Sequence, residues 1–180
     1  QYFIMKDFVV VVDKDDNALG QMEKMEAHET GTLHRAFSVF VFNSQSQMLI
    51  HRRAFSKYHS GGLWTNACCS HQRPGESTLD AAHRRLKEEM GFDCELEEEF
   101  SFIYKTEFEN KLTEHELDHV ITGAFDGFPN PNPKEVCEWK YVDIDYLIED
   151  IANYPDKYTV WFKIAFEQLK KNKLAHKLAV

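Results

Sequence analysis

The run Gly75-Glu-Ser-Thr-Leu-Asp-Ala-Ala-His-Arg-Arg-Leu-Lys-Glu-Glu-Met-Gly-Phe92 constrains this chain more than any other segment. Leu79, Ala82, Leu86 and Met90 recur at helical spacing and Gly91 stops the pattern, so the spacing predicts a loop entering an acidic helix over Ser77 to Met90. At about 100° per residue, Glu89 falls beside the apolar stripe with Arg85 one turn before it, while Glu88 points nearly opposite. Glu89 is therefore the better ligand candidate, and the layout suits the presentation of a carboxylate to a metal-bound phosphate. For an average helix, Arg85 and Glu89 would form only an i,i+4 surface ion pair.

Strand-like segments are Phe8 to Asp13, Ala36 to Asn43, Gln47 to Arg53, Leu63 to Cys69, Phe100 to Phe108, Leu117 to Phe125 and Glu138 to Val142. Asp13-Lys-Asp-Asp-Asn17 and Asn43-Ser-Gln-Ser46 carry turn chemistry, which predicts hairpins for the first pairs. Further helices are expected at Ile144 to Ala152 and Thr159 to Lys171, and the stretch from Gly127 to Pro133 reads as a loop between strands. The chain is thus α/β with a mixed sheet, and 180 residues with 43% hydrophobic content suit one domain over 1–180.

The charge of -9 and pI near 5.5 disfavour nucleic acid or an anionic membrane as main partner. His51-Arg-Arg53 with Lys57 forms a local basic cluster, which suggests an anionic small-molecule ligand. No apolar run of transmembrane length and no signal-peptide pattern is present, so a cytoplasmic protein is expected, monomeric or weakly dimeric. Opening on Gln1, the chain is expected to lack its native start or to have been processed. Cys68, Cys69, Cys94 and Cys137 lack the spacing of a zinc cage and read as free thiols.

His28 and His34 flank Glu-Thr-Gly-Thr-Leu, His71 follows Cys69 by two, and Glu114-His-Glu116 sits where a strand begins. Imidazole and carboxylate are usual ligands of Zn²⁺, Mn²⁺ or Fe²⁺, and this set suffices for one octahedral site. No pair has diagnostic spacing; the bland reading is surface histidines and the solvated face of an edge strand. His51, His59, His83, His115, His119 and His176 keep that bland reading. In an extended segment, period 2 puts Cys69 and His71 on one face with Cys68 pointing away. Cys69 is then a candidate proton carrier, and Cys68, Cys94 and Cys137 are small apolar fillers. Trp161, Phe162 and Phe166 read mainly as core, although one exposed indole face would suit a cation.

The Gly75 to Phe92 run resembles a damaged Nudix box. Gly75, Arg84, Leu86, Glu88, Glu89, Gly91 and Phe92 survive, while Ala81 and Arg85 stand where the pattern has glutamates. Their loss argues for one metal retained to bind a diphosphate and not to cleave it. Together with Ala27-His28, Leu33-His-Arg-Ala-Phe37, Arg52-Arg-Ala54, Ser56-Lys57, Trp64-Thr-Asn66, Cys69-Ser-His71, Arg84-Arg85, Tyr104 and Glu114-x-Glu116, the chain is similar to the type I isopentenyl-diphosphate isomerases from about Lys24 to Trp161.

That resemblance implies a Nudix-like α/β/α sandwich that interconverts isopentenyl and dimethylallyl diphosphate. It implies a divalent metal, Zn²⁺ or Mn²⁺, held by His28, His34, His71, Glu114 and Glu116. One Mg²⁺ bridging the diphosphate would be held by Glu89 and the Cys69 carbonyl. Lys24, Arg53, Lys57 and Arg85 would bind the diphosphate, Cys69 and Glu116 would be the catalytic pair with Tyr104 assisting, and Trp161 would cap the hydrocarbon. Cys68 before the catalytic cysteine, Ser70 in place of a common glycine and Gln72 in place of a frequent proline are the departures. The rival readings are a Nudix hydrolase of a nucleoside diphosphate derivative and a non-enzymatic metal- or phosphoanion-binding module on this fold.

Overall fold

Turn chemistry at Asp13 folds β1 (Phe8–Val12) back onto β2 (Ala18–Glu23) as an antiparallel hairpin. The Asp13 carboxylate accepts the main-chain N–H of Asp15 at 2.9 Å and of Asn17 at 3.0 Å, satisfying the donors that the turn frees. The chain is seen here as a computed structural model that describes residues 7–57, 59–108 and 110–178, with side chains to residue 173. His176 therefore lies outside the described side chains. A short helix absent from the sequence expectation follows, α1 (Lys24–Thr30), closed by Gly31 at φ 65°.

β3 (His34–Phe42) organises everything after it. One edge of β3 takes a parallel partner along its full length, from His34 to Phe42. The other edge is shared in turn by β1 at His34, by residues 68–70 at Phe37 to Val39, and by β4 (Met48–Arg53) only at Phe42. The expected hairpin turn exists, since the Asn43 side-chain oxygen accepts from Gln45 N and Gln47 N. Its two strands diverge at once because the edge is already occupied.

The expected strand over Leu63 to Cys69 is broken into β5 (Trp64–Thr65), which pairs with β4, and β6 (Cys68–Ser70), which pairs with β3. The break falls at Asn66, whose amide binds main-chain carbonyls at the step from one neighbour to the other. After α2 (Thr78–Met90) come β7 (Leu96–Glu107), β8 (Thr113–Ala124) and β9 (Val136–Val142), then α3 (Ile144–Asn153) and α4 (Val160–Leu178). β8 is the parallel partner of β3 and also pairs antiparallel with β7, so it is central. Glu116 is flanked on both sides, by β3 and β7, while Glu114 pairs with β7 alone, at Thr106.

Alternation along β3 fills two cores. Phe37, Val39 and Val41 pack on one side with Ala82, Leu86 and Met90 of α2, and Phe40 packs on the other with Leu147 of α3 and Phe162 and Phe166 of α4. Full burial of a leucine such as Leu86 stabilises by roughly 2–3 kcal/mol. Ser77 caps α2, its hydroxyl accepting from Asp80 N at 3.1 Å. Gly91 ends it at φ 71°, and a Cβ there would stand 2.0 Å from the Asn130 carbonyl oxygen. The 127–133 loop docks at this point, with Asn130 N bonded to Met90 O and Asn132 N to Glu89 O. Cys137 departs from its expected filler role: it is exposed, with its sulfur beside the Arg52 and Arg53 carbonyls.

Candidate active site

Period 2 along β8 turns Glu114, Glu116 and Asp118 to one face, and all three are buried. The β7–β8 register sets Tyr104 opposite Glu116, and the β3–β8 register sets His34 beside it. Tyr104 Oη lies 2.7 Å from Glu116 Oε2 and 3.0 Å from Glu114 Oε2, so one phenolic hydrogen is shared between two carboxylates. Burial and the Glu116 charge push Glu114 well above the usual carboxylate range. Burial also opposes charge on Glu116, but the adjoining imidazoles of His34 and His71 outweigh it and hold this group well below that range. The two carboxyls are thus pushed in opposite directions, which favours the proton on Glu114 and the charge on Glu116.

Main-chain carbonyls can only accept, which makes Nδ1 the donor in two histidines. His28 Nδ1 donates to Lys24 O at 2.6 Å and His34 Nδ1 to Thr32 O at 2.8 Å, so in both rings Nε2 is the nitrogen left to face inward. His34 Nε2 is 3.3 Å from His71 Nε2 and 3.6 Å from Glu116 Oε1, and His71 Nε2 is 3.0 Å from the same oxygen. Burial lowers the pKa of His28 and takes His71 down to about 3. One atom each from His28, His34, His71 and Glu116 lies within 4.8 Å of the others. Imidazole nitrogens gathered at a carboxylate, two of their rings held by carbonyls behind them, fit a divalent cation. Glu114 stands beside this group and binds Tyr104.

The antiparallel β3–β6 register aims Cys68 and Cys69 at opposite sides, as the two-residue period predicts. Cys68 is fully buried in the core under α2. The Cys69 sulfur faces the cleft, 3.0 Å from Asn66 Oδ1 and 3.4 Å from Ser38 Oγ, and burial followed by the Asp118 carboxylate pushes its thiol pKa well up. The group is a neutral thiol and so a proton donor.

Cations line the same cleft, which has a volume of about 100 Å³. Lys24, Arg53, Lys57, Arg85 and Glu89 line it together with Cys69, Tyr104, Glu114, Glu116 and Trp161. Arg85 pairs with Glu89, confirming the i,i+4 contact, yet Glu89 is only 7% exposed and Glu88 is the outward member. Lys57 Nζ binds Glu135 Oε2 at 2.6 Å. Among the described residues, the Nε atoms of Arg53 and Arg85 are buried without a hydrogen-bond partner. Orphaned guanidinium donors at a cleft wall suit a multiply charged anion.

Trp161 is 7% exposed, its Nε1 also unpartnered among the described residues, and the Arg53 guanidinium sits 5.1 Å from its ring centre. His59 meets the indole edge-on at 5.5 Å and stacks on Phe108 at 5.7 Å. Burial, then Arg53, hold His59 near a pKa of about 4, so it serves as a neutral aromatic wall.

The cleft therefore assembles every residue singled out from the sequence except His34, which lies fully buried behind His71 and Glu116. Ser38, Asn66, His59, Asp118 and Glu135 were missed. Asp118 alone was accessible to counting by twos from Glu116; the others arrive by strand pairing or by a loop. A wider apolar groove, lined by Phe42, Leu96, Ile148, Phe166 and Leu169, lies away from this constellation.

The fold and this site define a Nudix-domain protein: the NUDIX domain model matches residues 32–162. A Deinococcus radiodurans structure superposes with a TM-score of 0.68 at 21% identity, covering 82% of this chain and 90% of that one. A Methanosarcina mazei MutT protein gives 0.64 at 15% identity, over 78% of this chain and 95% of that one. Within that fold, the chain belongs to the isopentenyl-diphosphate Delta-isomerase family. It is 52% identical over 92% of its length to isopentenyl-diphosphate Delta-isomerase 2 of Aromatoleum aromaticum (87% of that protein), and 49% identical over 94% to isopentenyl-diphosphate Delta-isomerase of Serratia proteamaculans (95% of that protein).

Proposed function

We propose that this protein interconverts isopentenyl and dimethylallyl diphosphate by moving a proton onto the alkene and another off it. The observation that carries this reading is one cleft with a neutral thiol, a tyrosine–carboxylate pair and two guanidiniums whose Nε donors are unpartnered among the described residues. No redox group is required, because one C–H bond forms as another breaks. A proton delivered to the terminal methylene carbon leaves a tertiary cation, and loss of a proton from the carbon next to the diphosphate-bearing one restores the double bond.

Cys69 and Glu116 are the two proton carriers. Tyr104, neutral because burial and the adjacent carboxylates push its pKa well above the usual range, holds or relays the proton at Glu116 Oε2. Trp161 turns its indole to the cation, and Phe108 and His59 help exclude the water that would capture it. Lys24, Arg53, Lys57 and Arg85 bind the diphosphate, and that remote binding energy keeps the hydrocarbon end closed.

His28, His34, His71, Glu114 and Glu116 would hold a Zn²⁺ or Mn²⁺, and Glu89 with the Cys69 carbonyl would hold one Mg²⁺ against the diphosphate. When bound, these ions supply charge that stabilises the Glu116 carboxylate and the diphosphate. The protein acts as one domain over 1–180, in the cytoplasm, as a monomer or weak dimer, without nucleic acid or membrane partners. No helix among the described residues is long and apolar enough to cross a membrane.

Hydrolysis of a nucleoside diphosphate derivative is disfavoured, because Ala81 is fully buried and Arg85 occupies Glu89. The test is incubation with isopentenyl diphosphate in D₂O beside a nucleotide panel. Deuterated dimethylallyl diphosphate without phosphate release is expected, and Cys69→Ala is expected to abolish it. Phosphate release from a nucleotide, or full activity in Cys69→Ala, would overturn the reading.

A further inference from the structure

Among the buried polar groups that the proposed chemistry leaves unused, Asn66 is the most constrained. It has no exposed surface, and both hydrogens of its amide are committed: Nδ2 donates to Val39 O at 2.9 Å and to Cys68 O at 3.1 Å. Carbonyl oxygens only accept, so the amide cannot be turned end for end. Its Oδ1 is thereby forced to face the Cys69 sulfur at 3.0 Å.

The same oxygen is held from behind. Thr65 Oγ1 donates to it at 3.0 Å, and Thr159 Oγ1 donates to Thr65 Oγ1 at 3.1 Å. Thr159 immediately precedes α4, the helix that carries Trp161, and it accepts from Phe162 N at 3.4 Å. A buried chain of hydrogen bonds thus ties the start of the Trp161 helix to the sulfur of Cys69. On the sulfur's other side Ser38 Oγ, at 3.4 Å, gives its own hydrogen to Asp118 Oδ2 at 2.8 Å. Both neighbours therefore present lone pairs, and the S–H bond has its nearer acceptor in Asn66.

We infer that Asn66 is a positioning residue for the reaction: its side-chain oxygen fixes the direction of the Cys69 S–H bond and the distance between that sulfur and the Trp161 wall of the cleft. This rests on the reading of Cys69 as a proton carrier and deepens it. Asn66 lines no part of the cleft and touches no diphosphate cation, so its loss acts on the proton-transfer geometry and not on binding. A misplacement of about 1 Å at a reacting atom costs on the order of 100-fold in rate.

The experiment measures kcat and KM for isopentenyl diphosphate in the metal-loaded wild type, Cys69→Ala, Asn66→Ala and Asn66→Asp, with folding followed by circular dichroism. For Asn66→Ala, kcat is expected to fall about 100-fold with KM unchanged to within about twofold. A protonated aspartic acid in the buried site can donate to one main-chain carbonyl and still present an oxygen to the sulfur. Asn66→Asp is accordingly expected to recover most of the loss, and it carries the test should Asn66→Ala fail to fold.

Undiminished kcat in Asn66→Ala, KM rising in step with the fall in kcat, or Asn66→Asp no better than Asn66→Ala would each overturn the assignment while leaving the isomerase reading intact. An inactive wild type, or an active Cys69→Ala, would overturn that reading and the assignment with it.

Discussion

His34 and Glu116 are register partners across the parallel β3–β8 pair, and that pairing brings His34 Nε2 to 3.6 Å from Glu116 Oε1. The carboxylate so placed has one oxygen toward the histidines and the other toward Tyr104, joining the candidate metal site to the proposed proton path. Glu116→Gln keeps the shape and removes the charge. It is expected to abolish isomerisation and to weaken metal retention by at least about tenfold, as loss of a ligand does. Metal content after dialysis, measured by elemental analysis, checks this. Chelation of the wild type should silence it, and Zn²⁺, Mn²⁺ or Mg²⁺ added singly and together should restore it.

Arg85 and Glu89 form an ion pair in which the acid is buried and the base half-buried. Arg85→Leu strands the carboxylate and is expected to cost about 3 kcal/mol in urea unfolding. Arg85→Leu combined with Glu89→Leu should regain most of that stability. Neither variant should bind the diphosphate well, so KM for isopentenyl diphosphate rises by at least about tenfold in both. Activity recovered along with stability in the double variant would remove both residues from the site.

Gly91 couples the helix that carries Glu89 to the 127–133 loop. Its left-handed φ and the 2.0 Å approach of Asn130 O to any added Cβ mean that Gly91→Ala must move main chain. A loss of about 2 kcal/mol or more is expected, measured as a lowered Tm. Because Asn132 N binds Glu89 O, weaker diphosphate binding should accompany it.

His51 is fully inside the sheet, and burial followed by the Arg53 charge brings its pKa down to about 3. The unfolded chain therefore takes up a proton near pH 6.5 that the folded chain refuses until about pH 3. This group's contribution is intact above pH 6.5 and is lost as pH falls through that window, by about 1.4 kcal/mol per pH unit. Urea titrations at pH 7 and pH 5 should show a smaller drop for His51→Gln than for the wild type.

Ser77 and Gly91 announced the limits of α2 in the sequence, and the split between Cys68 and Cys69 followed from alternation alone. Both are local: a cap, a left-handed glycine and a two-residue period operate within a few residues of themselves. α1 escaped detection because seven residues without an apolar stripe give no periodic signal, and its histidine acquires meaning only beside His34 and His71. Glu114 and Glu116 looked compatible with a solvated edge until β7 paired with both and β3 closed the other side from Glu116 onward.

The residue types that move protons, bind metals and bind anions, and the periods that face them inward, are written in the chain. Which carboxyl favours its charge, which histidine nitrogen faces the cleft and where the sulfur points were decided by tertiary structure. Those properties depend on burial and on partners brought from distant strands, as with Asn66 against Cys69 and His34 against Glu116. A proton's location is set by the free-energy difference between charged and neutral forms in a particular surrounding, and that surrounding exists only after the sheet has closed.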